Sequence, residues 1–190
     1  MQAALPSFLV CFAKMKIVAS LLVLATLFAA ASAYSGVDIS QLTSTGSFQC
    51  LVSNGYHFTV VRAYQSNGVP DPNCPASVAN AWAGGMSYVD VYFFPCPTCS
   101  ASAGSQIDQA VQALRNSNVK FGQFWLDIEG TQYWTGSQSA NQAFFQGLVS
   151  AAHSNGLNLG VYTSASQWYV SLSPSFHFLL FIYIFLFFFL

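Results

Sequence analysis

The chain has 190 residues, of which 6% are charged and 16% are aromatic, and its formal net charge is −1. Disordered chains, coiled coils and nucleic-acid-binding proteins need many more charges, so this composition argues against all three classes. Residues 34–169 hold all six acidic residues but only three basic ones, namely Arg62, Arg115 and Lys120. We therefore expect one folded domain at residues 34–169, no nucleic-acid partner and no attraction to an acidic bilayer.

The first 33 residues have the pattern of a secretory signal peptide. Two lysines flank Met15, residues 17–28 are almost entirely apolar, and residues 31–33 (Ala-Ser-Ala) fit a signal-peptidase site. The apolar run is short for the roughly 20 residues that a membrane-spanning helix needs. We predict a signal peptide at residues 1–33, translation that starts at Met15, and secretion of a chain that begins at Tyr34.

Strand and helix patterns alternate along the next part of the chain. Residues 57–64 are β-branched and aromatic, which favours a strand. Ile107, Val111 and Leu114 form the apolar stripe of an amphipathic helix. The same criteria predict strands at residues 36–39, 57–64, 88–94, 121–128 and 157–162, and helices at residues 48–52, 75–83, 103–116, 139–154 and 164–169. This alternation predicts an α/β fold with a parallel sheet, either open and doubly wound or closed as a barrel.

Four cysteines follow the predicted signal peptide, and they are Cys50, Cys74, Cys96 and Cys99. In a secreted chain they predict two disulfides, with three connectivities open. The C-x-x-C spacing at residues 96–99 also fits a redox motif or half of a zinc site, but the histidines are isolated and support neither alternative. The loops lack the Gly-rich motifs of nucleotide-binding proteins. We expect no metal and no cofactor.

Residues 170–190 form a tail that ends in the apolar run FHFLLFIYIFLFFFL. The run is short and has no basic anchors, so we expect no stable membrane insertion. A glycolipid-anchor signal is a second interpretation, although its polar spacer is missing. In a third interpretation, Val170-Ser171 is an in-frame 5′ splice-site consensus, and a T-rich intron would translate as Phe, Leu, Ile and Tyr. We predict that the tail comes from a retained intron or a gene-model error.

Three acidic residues follow or end predicted strands. Asp127 and Glu129 are two residues apart at the end of one strand, so their side chains point the same way from Cα atoms roughly 6.6 Å apart. Asp38 ends the first strand, and the carboxyl ends of parallel strands meet at one mouth of such a fold. Cleavage of a glycosidic bond needs a protonated acid and a second carboxylate. The spacing therefore predicts a glycoside hydrolase, or a sugar-binding protein of the same build.

Four segments, at residues 36–40, 61–65, 125–129 and 160–163, resemble in order and spacing the family 25 glycoside hydrolases, which are secreted lysozymes. The segment at residues 95–99 (PCPTC) resembles their eukaryotic branch. The resemblance implies an irregular parallel (β/α) barrel. It also implies hydrolysis of the β-1,4 bond between N-acetylmuramic acid and N-acetylglucosamine in bacterial peptidoglycan, for defence or digestion, by a monomeric extracellular protein.

The resemblance also implies roles for individual residues. Glu129 matches the proton donor, Asp127 matches the carboxylate that supports the reacting acetamido group, and Asp38 matches the first-strand aspartate of the active-site mouth. Tyr92 and Tyr162 lie where family members line the sugar groove. Trp125, beside the acidic pair, and Tyr64 complete the predicted substrate-binding set.

The chain also departs from the family pattern. In the family, five strand–helix units precede three further strands, one of which carries another active-site aspartate, whereas here the fifth helix runs into the apolar tail. The resemblance therefore predicts a barrel that lacks its last strands. A catalytically inactive relative that binds cell-wall sugar or signals is the alternative hypothesis. Within the barrel, Arg62 and Asp90 lie on adjacent strands and are predicted to form a buried ion pair.

Overall fold

A computed structural model of the chain describes residues 34–173, so the predicted signal peptide and residues 174–190 of the predicted tail lie outside the described residues. The strands are β1 (Ser35–Ile39), β2 (Tyr56–Gln65), β3 (Val69–Pro70), β4 (Tyr88–Phe93), β5 (Phe124–Asp127) and β6 (Leu159–Tyr162). The helices are α1 (Thr45–Ser53), α2 (Cys74–Ala83), α3 (Ala103–Asn116), α4 (Gln138–Ser154) and α5 (Ala165–Ser171), with a 3₁₀ turn at Thr131–Tyr133.

The strands form one sheet in the order β1-β2-β4-β5-β6, and each of these neighbouring pairs is parallel. A helix separates each strand of this series from the next along the chain, as parallel pairing requires. The short β3 pairs antiparallel with the end of β2. Within residues 34–173, β1 and β6 are the two edges of the sheet and do not pair with each other. The predicted α/β class and parallel sheet are confirmed, and the sheet is an open, irregular barrel.

Four of the helices begin at a serine whose hydroxyl accepts a hydrogen bond from a backbone N–H three residues later. This contact satisfies a donor that the first helical turn leaves without an intrahelical partner. The four serines are Ser44, Ser102, Ser137 and Ser164.

Side chains alternate between the two faces of the sheet. On one face, apolar side chains pack against the helices and form the core, among them Val91, Phe93, Phe124, Leu126 and Ile128, all fully buried. The opposite face, which we call the polar face, carries Asp38, Arg62, Asp90, Tyr92, Trp125, Asp127 and Tyr162. The period-two alternation therefore separates the apolar side chains of the core from the polar and phenolic side chains of the opposite face.

Tyr64 departs from this alternation. The pairing register of β2 with β4 shifts between Arg62 and Tyr64, and this irregularity turns Tyr64 to the core face. Its ring is fully buried and stacks on Phe93 at a centroid distance of 4.5 Å, and its hydroxyl donates to the Gly68 carbonyl at 2.7 Å. The prediction that Tyr64 binds substrate is therefore wrong, because its side chain is a core residue.

The cysteines form one disulfide among the described residues, not the two that were predicted. Cys96 and Cys99 are bonded, while Cys50 and Cys74 keep free thiols. Cys50 lies on the exposed side of α1 and Cys74 is buried at the start of α2, so their thiols face different surroundings. Burial raises the pKa of the Cys74 thiol to about 12, with the nearby Asp71 charge adding to the effect.

The predicted Arg62–Asp90 ion pair is also wrong. Arg62 Nε donates to Asp71 Oδ2 at 2.7 Å, and Arg62 Nη2 donates to the Ser40 carbonyl at 3.0 Å. Asp71 reaches Arg62 because β3, which sequence analysis missed, folds the chain back along the end of β2. Asp90 accepts hydrogen bonds from the Gln123 N–H and from Trp125 Nε1.

The described part of the predicted tail packs against the domain. Helix α5 continues to Ser171, and the Leu172 side chain is fully buried. The Asn141 amide donates to the Ser171 carbonyl, and the Gln142 amide donates to the Leu172 carbonyl. Within the described residues, this packing continues to Leu172, three residues beyond the predicted boundary at residue 169.

Among residues 34–173, every helix falls short of the length or the apolar character that a bilayer-spanning segment needs.

We predict that Asp71→Ala lowers the free energy of unfolding by about 3 kcal/mol, because it leaves the partly buried Arg62 guanidinium without its carboxylate. Urea unfolding of the parent and the variant measures this loss. The matched control is Asp108→Ala, at an exposed position on α3, which should change stability by no more than about 0.5 kcal/mol. Equal, small effects of the two substitutions would contradict the role of the ion pair.

Candidate active site

Acidic and phenolic side chains meet at the carboxyl end of the parallel strands. Asp127 is the last residue of β5, Glu129 follows two residues later, and Tyr162 is the register partner of Asp127 on β6. Asp38 lies near the end of β1, on the same face of the sheet. This end of a parallel α/β fold is where catalytic residues cluster.

Hydrogen bonds hold both the N–H and the carbonyl of Ile128, the residue between Asp127 and Glu129. The Ile128 N–H donates to the Tyr162 carbonyl at 2.8 Å, and Thr163 Oγ1 donates to the Ile128 carbonyl at 2.7 Å. The Ile128 side chain is fully buried on the core face. With this peptide fixed, alternation continues past the end of β5, and Glu129 projects from the same face as Asp127.

Asp127 is the most deeply buried of the three acids. Its relative exposure is 6%, and its Oδ1 atom finds no hydrogen-bond partner among the described residues. Burial raises the pKa of Asp127 to about 8, and the charges of Glu129 and Asp38 add to the increase. The Asp127 carboxyl therefore holds a proton at neutral pH in the ligand-free protein, and one of its oxygens is available to a ligand.

Glu129 is half-buried, and its pKa is also raised, first by desolvation and then by the charge of Asp38. The charge of Asp38 opposes the ionisation of both other acids, and the charge of Glu129 opposes that of Asp127, so the three carboxyl groups lie close together. Such a cluster retains a proton near neutral pH, which is the property that an acid catalyst needs.

Two tyrosines face this cluster. Desolvation raises the pKa of Tyr162, and the charges of Glu129, Asp127 and Asp38 raise it further. The pKa of Tyr92 is raised by desolvation as well, with the Arg62 guanidinium acting in the opposite direction. The structure thus brings both predicted groove tyrosines into the same cluster as the three acids.

Trp125 lies deeper on the polar face than an exposed sugar-stacking residue would. Its relative exposure is 8%, and its Nε1 donates to Asp90 Oδ2 at 3.0 Å. Its register partners are Tyr92 on β4 and Gly160 on β6. A Cβ at Gly160 would come within 2.5 Å of the indole, so the ring lies directly over this glycine. Trp125 therefore forms part of the floor of the site.

Sequence analysis missed an aromatic pair in the loops that leave β4 and β5. Phe94 and Tyr133 contact each other edge to face, with ring centroids 5.3 Å apart. Tyr133 is 36% exposed, and its ring packs over Gly130, where a Cβ would come within 2.6 Å of the ring. The sequence feature that could have identified Tyr133 is its position four residues after Glu129. This pair places an accessible aromatic ring beside the acids.

Within residues 34–173, no group of three or more His, Cys, Asp or Glu side chains has an arrangement that could hold a metal ion.

Comparison with known sequences identifies close relatives. The family described as Lysozyme-like protein 1 matches residues 29–174. The "Probable GH family 25 lysozyme 2" of Dictyostelium discoideum is 52% identical over 154 residues, which cover 81% of this chain and 72% of the relative.

Solved structures with the same fold include a muramidase from Trichobolus zukalii, with a TM-score of 0.59 and 21% identity over 72% of this chain and 68% of that one. The autolysin LytC of Streptococcus pneumoniae, solved in complex with a synthetic peptidoglycan ligand, has a TM-score of 0.55 and 15% identity over 70% of this chain and 33% of that one. The acid pair thus lies in a fold shared with muramidases, in a chain more than half identical to a curated lysozyme over most of its length. The chain belongs to the family 25 lysozymes, and it is a glycoside hydrolase.

Proposed function

We propose that this protein hydrolyses the β-1,4 bond between N-acetylmuramic acid and N-acetylglucosamine in bacterial peptidoglycan. The observation that carries the proposal is the buried Asp127 carboxyl beside Glu129, at the carboxyl end of β5. Its Oδ1 atom has no hydrogen-bond partner among the described residues. The peptidoglycan ligand of LytC and the muramidase activity named for the fungal structure support the same substrate.

Glu129 is the proton donor in this proposal. It is half-buried, so it is accessible to a bound saccharide, and its raised pKa favours the protonated form that the leaving oxygen requires. As Glu129 protonates the glycosidic oxygen and the bond from that oxygen to the sugar C1 atom breaks, the acetamido oxygen of the same sugar bonds to C1. Water then gives a proton to Glu129 and its oxygen bonds to C1, which releases the acetamido oxygen and restores the acid.

Asp127 supports the acetamido group of the sugar whose C1 atom reacts. The N–H of that group donates to Asp127, which favours the charged carboxylate and lowers its pKa. The charge that develops on Asp127 in turn raises the pKa of Glu129, since the two acids interact. Substrate binding therefore moves the shared proton from Asp127 to Glu129, where the reaction uses it.

The remaining side chains shape the groove. Asp38 keeps the pKa of both other acids high, and the Tyr92 and Tyr162 hydroxyls offer hydrogen bonds to sugar hydroxyls. Tyr133 offers an aromatic surface at the rim, where a sugar ring can pack. Trp125 contributes the floor beneath them and is a weaker candidate for direct stacking, because it is almost fully buried.

The proposal includes an extracellular, antibacterial or digestive role. The supporting observation is the signal-peptide pattern of residues 14–33, which precedes the first strand directly. The Cys96–Cys99 disulfide is typical of oxidising compartments and agrees with secretion.

We predict that Glu129→Gln abolishes the lysis of bacterial cell walls, with a loss of about 10²-fold or more, because an amide cannot donate the required proton. A turbidity assay on wall suspensions measures lysis, and circular dichroism checks the fold. Asp108→Asn, an acid-to-amide change at an exposed position on α3, is the matched control and should lyse at the parent rate. Lysis by Glu129→Gln at the parent rate would contradict the assignment. Wall binding without lysis by the parent would favour the inactive relative instead.

We predict that Asp127→Asn makes the protein more stable than the parent at pH 8 and nearly equal to it at pH 4. The folded carboxyl keeps its proton up to about pH 8, whereas the unfolded one loses it near its ordinary pKa of 3.8. The parent therefore loses stability as the pH rises between these values, by at most about 1.4 kcal/mol per pH unit. Urea unfolding at several pH values tests this, and parallel curves for the two proteins would contradict it.

We predict that the chain, expressed from Met15 in a eukaryotic secretory system, appears in the medium with Tyr34 as its first residue. N-terminal sequencing of the secreted protein identifies that residue. A variant with Ala31 and Ala33 changed to Gln should stay unprocessed, because signal peptidase requires small residues at these positions. Retention of residues 15–33 on the secreted parent chain would contradict the signal peptide.

A further inference from the structure

Asp90 is an acidic residue of the polar face that the proposed reaction does not use. It lies on β4, two residues before Tyr92, and is partly buried. Its Oδ1 accepts the Gln123 N–H at 2.8 Å, and its Oδ2 accepts Trp125 Nε1 at 3.0 Å. One carboxylate thus holds both the backbone at the entry to β5 and the indole two residues further along.

The geometry around Asp90 requires a carboxylate. Both of its partners are N–H donors, so both of its oxygens must accept, whereas an amide would present an NH₂ group to one of them. The backbone is also close, because a Cβ at Gly122 would lie 2.8 Å from Asp90 Oδ1. An asparagine at this position therefore has to break or lengthen one of the two hydrogen bonds.

The Trp125 indole that Asp90 holds lies next to Asp127 on the same face of β5. The indole packs over Gly160. In the register of the sheet, Trp125 lies between Tyr92 and Gly160, two residues before the pair formed by Asp127 and Tyr162. The indole therefore occupies the part of the polar face next to Asp127, on the side away from the carboxyl end of the strands. Burial is the largest cause of the raised pKa of Asp127.

We propose that Asp90 is a positioning residue for hydrolysis, which fixes the Trp125 indole as the floor of the site and thereby keeps Asp127 out of contact with water. The predicted effect on hydrolysis rests on the proposed function. The predicted effect on the exposure of Asp127 to water does not depend on it. Asp90 acts through the indole, since the charges that raise the pKa of Asp127 are those of Glu129 and Asp38.

Other ionisable groups also face Asp127, and the test must leave them unchanged. They come from each strand around the site: Asp38 on β1, Arg62 on β2, Tyr92 on β4, Glu129 after β5 and Tyr162 on β6. Asp90→Asn and Trp125→Phe alter none of these groups. A change in the titration of Asp127 in either variant therefore reports the state of the floor.

The experiment follows the carboxyl carbon resonance of Asp127 by NMR as the pH is raised, in the full chain, with the resonance assigned from its absence in Asp127→Asn. We expect Asp90→Asn to lower the pKa of Asp127 by about one pH unit or more, because water then reaches the carboxyl. It should also move the indole N–H resonance that is missing in Trp125→Phe. Asp108→Asn, at an exposed position, should change neither signal.

Activity measurements connect the floor to catalysis. The alkaline limb of the kcat/KM profile on solubilised peptidoglycan should move to lower pH in Asp90→Asn. In Trp125→Phe it should move the same way, because the donor to Asp90 is gone. The double variant should be no worse than the poorer single variant, since both changes act through one contact.

Three outcomes would overturn the inference. The first is an Asp127 titration that is the same in the parent and in Asp90→Asn. The second is a double variant whose loss of kcat/KM equals the product of the losses in the two single variants. If Asp90→Asn does not fold, Trp125→Phe carries the test, and an unchanged Asp127 titration there has the same meaning. Failure of the proposed function looks different: the parent would not hydrolyse peptidoglycan, while the titrations would still respond to Asp90→Asn.

Discussion

The two-residue period of strand β5 is the constraint on which the rest of the structure depends. Phe124, Leu126 and Ile128 are fully buried against the helices, so the core fixes the rotation of the strand about its axis. A slip by one residue would place both acids in that core, where unpaired charges are prohibitively costly. The apolar set therefore determines the direction of the acids as firmly as any contact that the acids make themselves. The hydrogen bonds of Ile128 to Tyr162 and Thr163 extend this control beyond the end of the strand.

Burial of Asp127 works against stability and in favour of chemistry. A carboxyl that stays protonated to about pH 8 gains nothing from ionisation in the folded protein, and its Oδ1 finds no hydrogen-bond partner within residues 34–173. The surrounding core tolerates this cost because its apolar residues pack densely on the other face of the same strand. In the proposed reaction, the unpaired Oδ1 is already in place to accept an N–H from the substrate.

Much of the fold could be predicted from the sequence, because its signals are local. The β-branched and aromatic runs and the apolar periodicity locate each helix and each strand of the parallel sheet to within a few residues. Asp127 and Glu129 could be paired for the same reason, since two residues along a strand always face the same way. The incorrect predictions concern side chains whose positions depend on contacts with residues distant in the sequence. Tyr64 turns into the core at an irregularity in the pairing of β2 with β4, and Arg62 binds Asp71 because β3 folds back on β2. No local pattern distinguishes these outcomes from their alternatives.

The same distant contacts explain why Asp90 was misassigned as the partner of Arg62. Because Arg62 pairs with Asp71, Asp90 does not bind the guanidinium. Its two oxygens instead accept hydrogen bonds from the Gln123 N–H and the Trp125 indole. Arg62 pairs with Asp71 on one side of Tyr92, and the Asp90 carboxylate accepts a hydrogen bond from the Trp125 indole on the other side. In the proposed arrangement this indole is the floor of the site. The acid cluster at the mouth lies above that floor, where a solvent-filled gap would remove the burial that raises the pKa of Asp127.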